Sequence, residues 1–430
     1  MTHSIKLAAV VALIGPAVWL APSRVEGADP EAVLQNIVQQ ALASSPAIEA
    51  GRAAVEGAER RAAAADRLPD PELGIGYSPV AIETRGGPQR ARLTLTQGIP
   101  FFGKRGLWRE EAEADARAWA ARSRGTAAEV RRAVQERFWE IYRIDRAIEI
   151  AEEEKLLLED VLQAAEAKYA TGGGSQANLF QTQLLQTRIS NRLLLLQGER
   201  AAAVEHLAGL VGGRVDPPAL DEMHRPLVRI DSAEVMASVL AGNPDLRASE
   251  EKVTRSRFAL DAMRREYYPD FALSLGWQEI GESDLPGEWN GRDAWSVGAM
   301  VTLPLGRGGI EERVEARRHA LVEAEAQRED RERRLAARAG DLLRRIAAAG
   351  ESMALYRDGL VPQARSTFES AMAAYATGGL EFADLVLAER SLLEVRLGYH
   401  ETVAGYRNLV AGLEGLLGVV TPECRFPPEE

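Results

Sequence analysis

The sequence predicts a mainly α-helical chain with a small β part, built as two copies of one unit: a helix, two strands and a long helical hairpin. Three observations lead there. Short motifs in the first half return in the same order 198 to 206 positions later. Each copy ends in a long stretch dense in Ala, Arg, Glu and Leu, punctuated by a glycine pair or triplet. The 430 residues are 27% charged and only 6% aromatic, a composition of long helices rather than of a compact enzyme.

The elements follow in order. Residues 1–27 read as a secretory signal, with Lys6 as the basic region, an apolar run from Leu7 to Leu20 broken by Pro16, and the small residues Val25 and Gly27 at the −3 and −1 positions. Its removal would take the net charge from −12 to −13, an acidic balance with no surplus to neutralise phosphates, so nucleic acid is not an expected partner. The single cysteine, Cys424, permits no intramolecular disulfide and no cysteine zinc cluster. No cysteine follows the apolar run, so N-terminal lipidation is not expected. Beyond it no stretch of about 18 apolar residues occurs. Any insertion into a membrane must then use β-strands.

The first copy occupies 28–225 and the second 226–420, with a short tail at 421–430. Ser45-Pro46-Ala47-Ile48 is matched by Asn243-Pro244-Asp245-Leu246, and Tyr169-Ala170-Thr171-Gly172-Gly173 by Tyr375-Ala376-Thr377-Gly378-Gly379. The pairs Pro69-Asp70 and Pro269-Asp270, Ile99-Pro100 and Leu303-Pro304, and Leu207 and Leu413 complete the series. The first helix of each copy is expected over 31–66 and 231–267, each stopping before a Pro-Asp pair because proline disfavours helix at the residue before it. Strands are expected at 71–79, 90–99, 270–279 and 294–304, with polar loops at 80–89 and 280–293. Arg92-Leu93-Thr94-Leu95-Thr96 and Leu273-Ser274-Leu275-Gly276-Trp277 alternate at the period of a strand with two unlike faces. Helical arms then run from Arg105 to Thr171 and from Gln176 to Val211, and again from 308 to 377 and on to Leu417. On the first arm Ile141, Ile144, Ile148 and Ala151, then Leu158, Leu162, Ala165 and Tyr169, form a coiled-coil-like seam interrupted by Glu154-Lys155.

Four strands per chain cannot close a barrel, which needs about eight. Pooling strands from several chains would remove the open edges, and the paired helices would prolong the barrel into a tube: a conduit.

The duplicated layout, the Pro-Asp strand entries, Ile99-Pro100-Phe101-Phe102-Gly103 and the Tyr-Ala-Thr-Gly-Gly tips resemble the TolC-type outer-membrane efflux family over residues 30–420, and the segment Leu355 to Arg365 is similar to its heavy-metal (CzcC-like) branch. The resemblance implies a homotrimer in the outer membrane of a Gram-negative bacterium. Three chains would form a 12-stranded barrel in lipid, joined to a periplasmic α-helical barrel. It implies a passive conduit in a tripartite efflux system, with a periplasmic adaptor (membrane fusion protein) and an inner-membrane pump of the RND type as partners and heavy-metal cations as cargo. Drug efflux and type I secretion are alternatives within the family. A periplasmic coiled-coil structural or adaptor protein is the alternative outside it.

The resemblance also marks candidate residues. The tips Gly172, Gly173, Gly174, Ser175, Asn178, Gly378 and Gly379 are expected to face the adaptor, or only to make turns. Glu381 and Asp384 are candidates for a threefold acidic constriction, or for a helix cap. Pro362 is expected to kink or break its helix, as a hinge or a static bend. Tyr77, Phe101, Phe102, Trp277 and Trp295 are candidates for membrane-interface girdles, or for core packing. Gly98 to Arg105 mimics a phosphate-binding loop but has no Ser or Thr after Lys104 and has a bulky interior, so it reads as a turn from strand to helix. The five histidines, His3, His206, His224, His319 and His400, show no metal-ligand spacing. No catalytic residue and no cofactor is expected.

Overall fold

The computed structural model describes residues 30–84, 86–170, 172, 174–215, 217, 231–283 and 290–419. The expected signal, Gly173, Cys424 and the boundary at 225/226 lie outside them.

The first expected helix is two: α1 (Pro30–Ser44) and α2 (Pro46–Ala65). Proline at the start of α2 has no N–H to give to the preceding turn, and Ser45 before it is extended at ψ 119°. The second copy divides in the same way into α5 (Ser232–Gly242) and α6 (Pro244–Arg264), with Asn243 at ψ 121° capping Leu246 N–H at 2.9 Å. A 3-10 turn, Arg265–Tyr267, finishes this segment. The single helices expected over 31–66 and 231–267 are thus each divided at a proline, Pro46 and Pro244.

Four strands form one antiparallel sheet in the order β1-β2-β3-β4: β1 (Glu72–Thr84), β2 (Gly87–Ile99), β3 (Asp270–Ile280) and β4 (Ala294–Thr302). Residues 80–84 and 87–89, expected as a polar loop, extend the first hairpin instead. Pro79 stands on edge strand β1, where the register shifts between Tyr77 and Ile82 and no ladder bond is demanded of it.

The hairpins are long. α3 (Lys104–Ala170) has 67 residues, about 100 Å at 1.5 Å per residue, and α4 (Gln176–Val211) returns along it. The second outward arm runs as α7 (Arg307–Leu355), a π turn (Tyr356–Leu360) and α8 (Val361–Thr377), and α9 (Phe382–Leu417) returns. Pro362 therefore does not break its helix. It cannot donate to the residue four before it, and the wider π turn just ahead absorbs the misfit, with Val361 N–H reaching back to Tyr356 O.

Among the described residues the core is three clusters strung along the arms. One joins α1, α3, α4 and α9 around Phe138, Tyr142 and Leu207. A second joins α5, α6, α7 and α9 around Val239, Ala339 and Leu413. The third, near the tips, joins α3, α8 and α9 around Val161, Tyr375 and Leu385. The seam on α3 is buried at Ile141, Ile144, Ala151, Leu158 and Ala165. Tyr169, counted as its last member, is exposed instead, and Val161 takes an inward position the spacing did not assign.

Candidate functional site

The sheet has two chemically opposite faces. Pairing aligns Leu73, Leu95, Leu275 and Val297 in one row and Ile75, Leu93, Trp277 and Trp295 in the next, all on one side. The other side aligns Gly74, Thr94, Gly276 and Ser296, then Gly76, Arg92, Gln278 and Ala294. Period-two alternation on every strand produces this division. The apolar face is uncovered: Ile75, Tyr77, Trp295 and Val297 are all exposed in the subunit. The outer edges of β1 and β4 pair with no strand among the described residues.

The candidate girdle aromatics fall at two levels. Tyr77, Trp277 and Trp295 sit toward the hairpin end, and Trp277 Nε1 donates to Asp293 Oδ2 at 3.1 Å. Phe101 and Phe102 sit at the helix end, where Phe101 stacks on Tyr268 at 4.6 Å and Phe102 leans on Phe271. Trp277 lies six positions along β3 from Phe271, which is about 20 Å of strand.

Where sheet meets helix, Lys104 is 1% exposed. Its Nζ lies 2.9 and 2.8 Å from the Asp270 carboxylate and 3.3 Å from Glu266, and Phe101 N–H donates to Asp270 Oδ1 at 2.7 Å. The lysine of the phosphate-loop mimic is thus consumed in pinning the first copy to the second. Sequence separation of 166 residues hid this pair.

The two tips meet. Gly172 and Gly378 end their helices at φ +78° and +83°, a conformation that costs other residues strain. Gly174 approaches the Tyr169 backbone so closely that a Cβ would fall 2.9 Å from its nitrogen. Ser175 caps α4, accepting from Asn178 N–H at 3.4 Å. Lys168 of the first hairpin lies over the ring of Tyr375 of the second, 4.3 Å from its centroid, and donates to its carbonyl at 3.2 Å. Burial pushes the Tyr375 phenol up, with Asn178 opposing. Nothing in the spacing singled out Lys168. Glu381 stands at the N-cap of α9 without making a side-chain cap, and Asp384 is exposed in its first turn. Among the described residues neither carboxylate is drawn into an ion pair.

His400 is half-buried beside Tyr142, its Nδ1 3.3 Å from the hydroxyl. Burial holds it down at about 4, with Arg146 and Arg396 adding to the effect. Among the described residues no group of three His, Cys, Asp or Glu side chains could hold a metal ion, and no helix is long and apolar enough to cross a membrane.

The family model described as outer membrane efflux protein matches residues 37–213 and again 235–419, one match for each copy of the repeat. Two relatives come from Cupriavidus metallidurans. The cobalt-zinc-cadmium resistance protein CzcC is 21% identical, covering 82% of this chain and 81% of its own length. The nickel and cobalt resistance protein CnrC is 24% identical, covering 70% and 71%. Among solved structures, the outer membrane protein VceC of Vibrio cholerae superposes with a TM-score of 0.75 at 20% identity, over 90% of this chain and 96% of VceC. The transmembrane channel CusC superposes at 0.73 and 17%, over 90% and 92%. These two likenesses establish the fold.

Proposed function

The chain belongs to the outer membrane efflux protein family, and from that premise we propose that three copies form a passive conduit that carries heavy-metal cations out of the cell. It is a channel protein of the outer membrane with a long periplasmic helical extension, not an enzyme. One observation carries the conduit reading: a four-stranded sheet with a lipid-compatible face, a Gly-, Ser- and Thr-rich opposite face, and two edges unpaired among the described residues. Three such sheets joined edge to edge would make twelve strands, remove every edge and place the small polar residues around the lumen. The two aromatic levels, about 20 Å apart along a strand, would then mark the interfaces of the apolar band.

In the proposed assembly the tips dock on a periplasmic adaptor, which passes cargo from an inner-membrane pump of the RND type. Glu381 and Asp384, which make no ion pair among the described residues, would form the acidic constriction. Heavy-metal cargo is favoured over drugs or protein by the relatives CzcC and CnrC, both described as metal resistance proteins.

The test is detergent-purified mass together with conductance in a planar bilayer. A trimer with discrete, cation-favouring steps is expected, and Glu381→Ala with Asp384→Ala should reduce the cation preference. A detergent-free monomer with no conductance would sink the proposal. For cargo, loss of the gene in its host should lower tolerance to cobalt, zinc, cadmium or nickel. Unchanged metal tolerance with increased drug sensitivity would favour the drug reading.

A further inference from the structure

The most unusual chemistry in the helical arms is a pair of like charges. Glu154 on α3 and Glu389 on α9 line one cleft where the first hairpin packs on the second, each within reach of the other's charge. Glu389 is 5% exposed. Its Oε1 and the Oε2 of Glu154 are both buried and receive no hydrogen bond from a donor. Both line a cleft of about 250 Å³ whose walls include the apolar Ile150, Leu157, Phe368 and Leu392.

The surrounding charges do not neutralise two carboxylates. Arg396 on α9 is engaged with Glu153 of α3 at 2.6 Å. Arg365 and Glu369 of α8 line the same cleft with opposite signs. The charge of Arg192 of α4 acts on Glu154 and that of Arg390 of α9 on Glu389, each favouring the ionised form. Two adjacent anions in a partly dehydrated seam repel, and the inexpensive remedy is to keep one proton between them. Burial, with the hydrogen bond and charge of Glu389 added, pushes Glu154 up to about 8 in spite of Arg192 and Arg396. Burial also pushes Glu389 up.

We propose that Glu154 and Glu389 share a proton at neutral pH and act as a latch between the two helical hairpins, closed while one carboxyl is protonated and loosened when both ionise. The balance is simple: one proton leaves the pair for solvent, and one net negative charge appears in the seam. A divalent cation is the competing occupant, but no third acidic, histidine or cysteine ligand completes a set among the described residues. The latch does not depend on the cargo or on the pump, because both carboxyls belong to one chain.

The experiment is hydrogen exchange on the full-length detergent-solubilised protein from pH 6 to 9, corrected for the intrinsic base dependence of exchange. Opening of segments 148–160 and 384–396 should increase up to about tenfold per pH unit until about pH 8, then level off. Glu154→Gln and Glu389→Gln should each flatten that slope, while the segment around Phe138 stays unchanged in all three proteins. Identical profiles in the wild type and both variants would overturn the latch. So would a wild-type slope that millimolar zinc abolishes and a chelator restores, since that assigns the pair to a cation. Should the variants fail to fold, the infrared band of a protonated carboxyl in the wild type decides. Its loss between pH 7 and 9 in step with exchange supports the latch, and its absence at pH 7 overturns it.

Discussion

Removing the Asp270 carboxylate should destabilise the subunit by about 2–3 kcal/mol, because buried Lys104 would keep only Glu266 at 3.3 Å; this is below the full cost of breaking a buried pair because Glu266 remains and Asp270 is partly open to water. Asp270→Ala with Lys104→Met should recover most of that loss, and chemical denaturation of the two variants checks it. His400 supplies a pH signature of its own. It stays neutral when folded, at about 4, against an ordinary value of 6.5. The unfolded chain therefore binds more protons between those values, and stability falls as pH drops from about 6.5 to 4. His400→Gln should remove up to about 3 kcal/mol of that acid sensitivity, read as a flatter melting temperature between pH 7 and 4. Glu154 has the opposite sign: its folded value lies above the unfolded one, so its contribution weakens as pH rises from about 4.5 to 8. Acid and alkaline limbs of one stability profile thus report on two different residues.

At the scale of elements, the π turn ahead of Pro362 is where the second arm differs most from the first. The ring of Tyr356, its first residue, rests on Gly398 of α9, where a Cβ would fall 2.7 Å from the hydroxyl and 3.1 Å from the ring carbon bearing it. Gly398→Ala should push the ring off and cost about 1–3 kcal/mol by overpacking. Tyr356→Ala in the same background should relieve it, and a double-mutant cycle on melting temperature measures the coupling. Helical periodicity made the arms legible, and their ends fall within a few residues of expectation because glycine in the left-handed conformation stops each one. Register shifts inside an arm leave no such mark. A proline announces that something must yield, but whether a helix kinks, breaks or widens depends on what packs against it.

At the scale of the whole molecule, the division of the sheet into two faces makes a directional prediction. Ile75→Arg places a charge on the lipid face and should cost up to about 2–4 kcal/mol in the bilayer. Ser296→Arg, on the opposite face of the same sheet, should be tolerated. Abundance in the outer membrane, or refolding into lipid vesicles, distinguishes them. Equal penalties would mean that the lumen and lipid faces are wrongly assigned.

The sequence by itself determined the repeat, the helical arms with their glycine stops, and the alternation that divides the sheet, because each depends on neighbours a few residues apart or on one unit copied later. Two unlike faces follow from residues of opposite parity on one strand, as Leu93 and Thr94 already show. Only the tertiary structure decided which residues of the two copies meet. Lys104 finds Asp270, Lys168 finds Tyr375, and Glu154 finds Glu389 across separations of more than 160 residues. A carboxylate facing solvent and one facing another carboxylate in a partly dehydrated seam read alike in sequence. What separates them is the dielectric and the partner, and both exist only once the hairpins have packed.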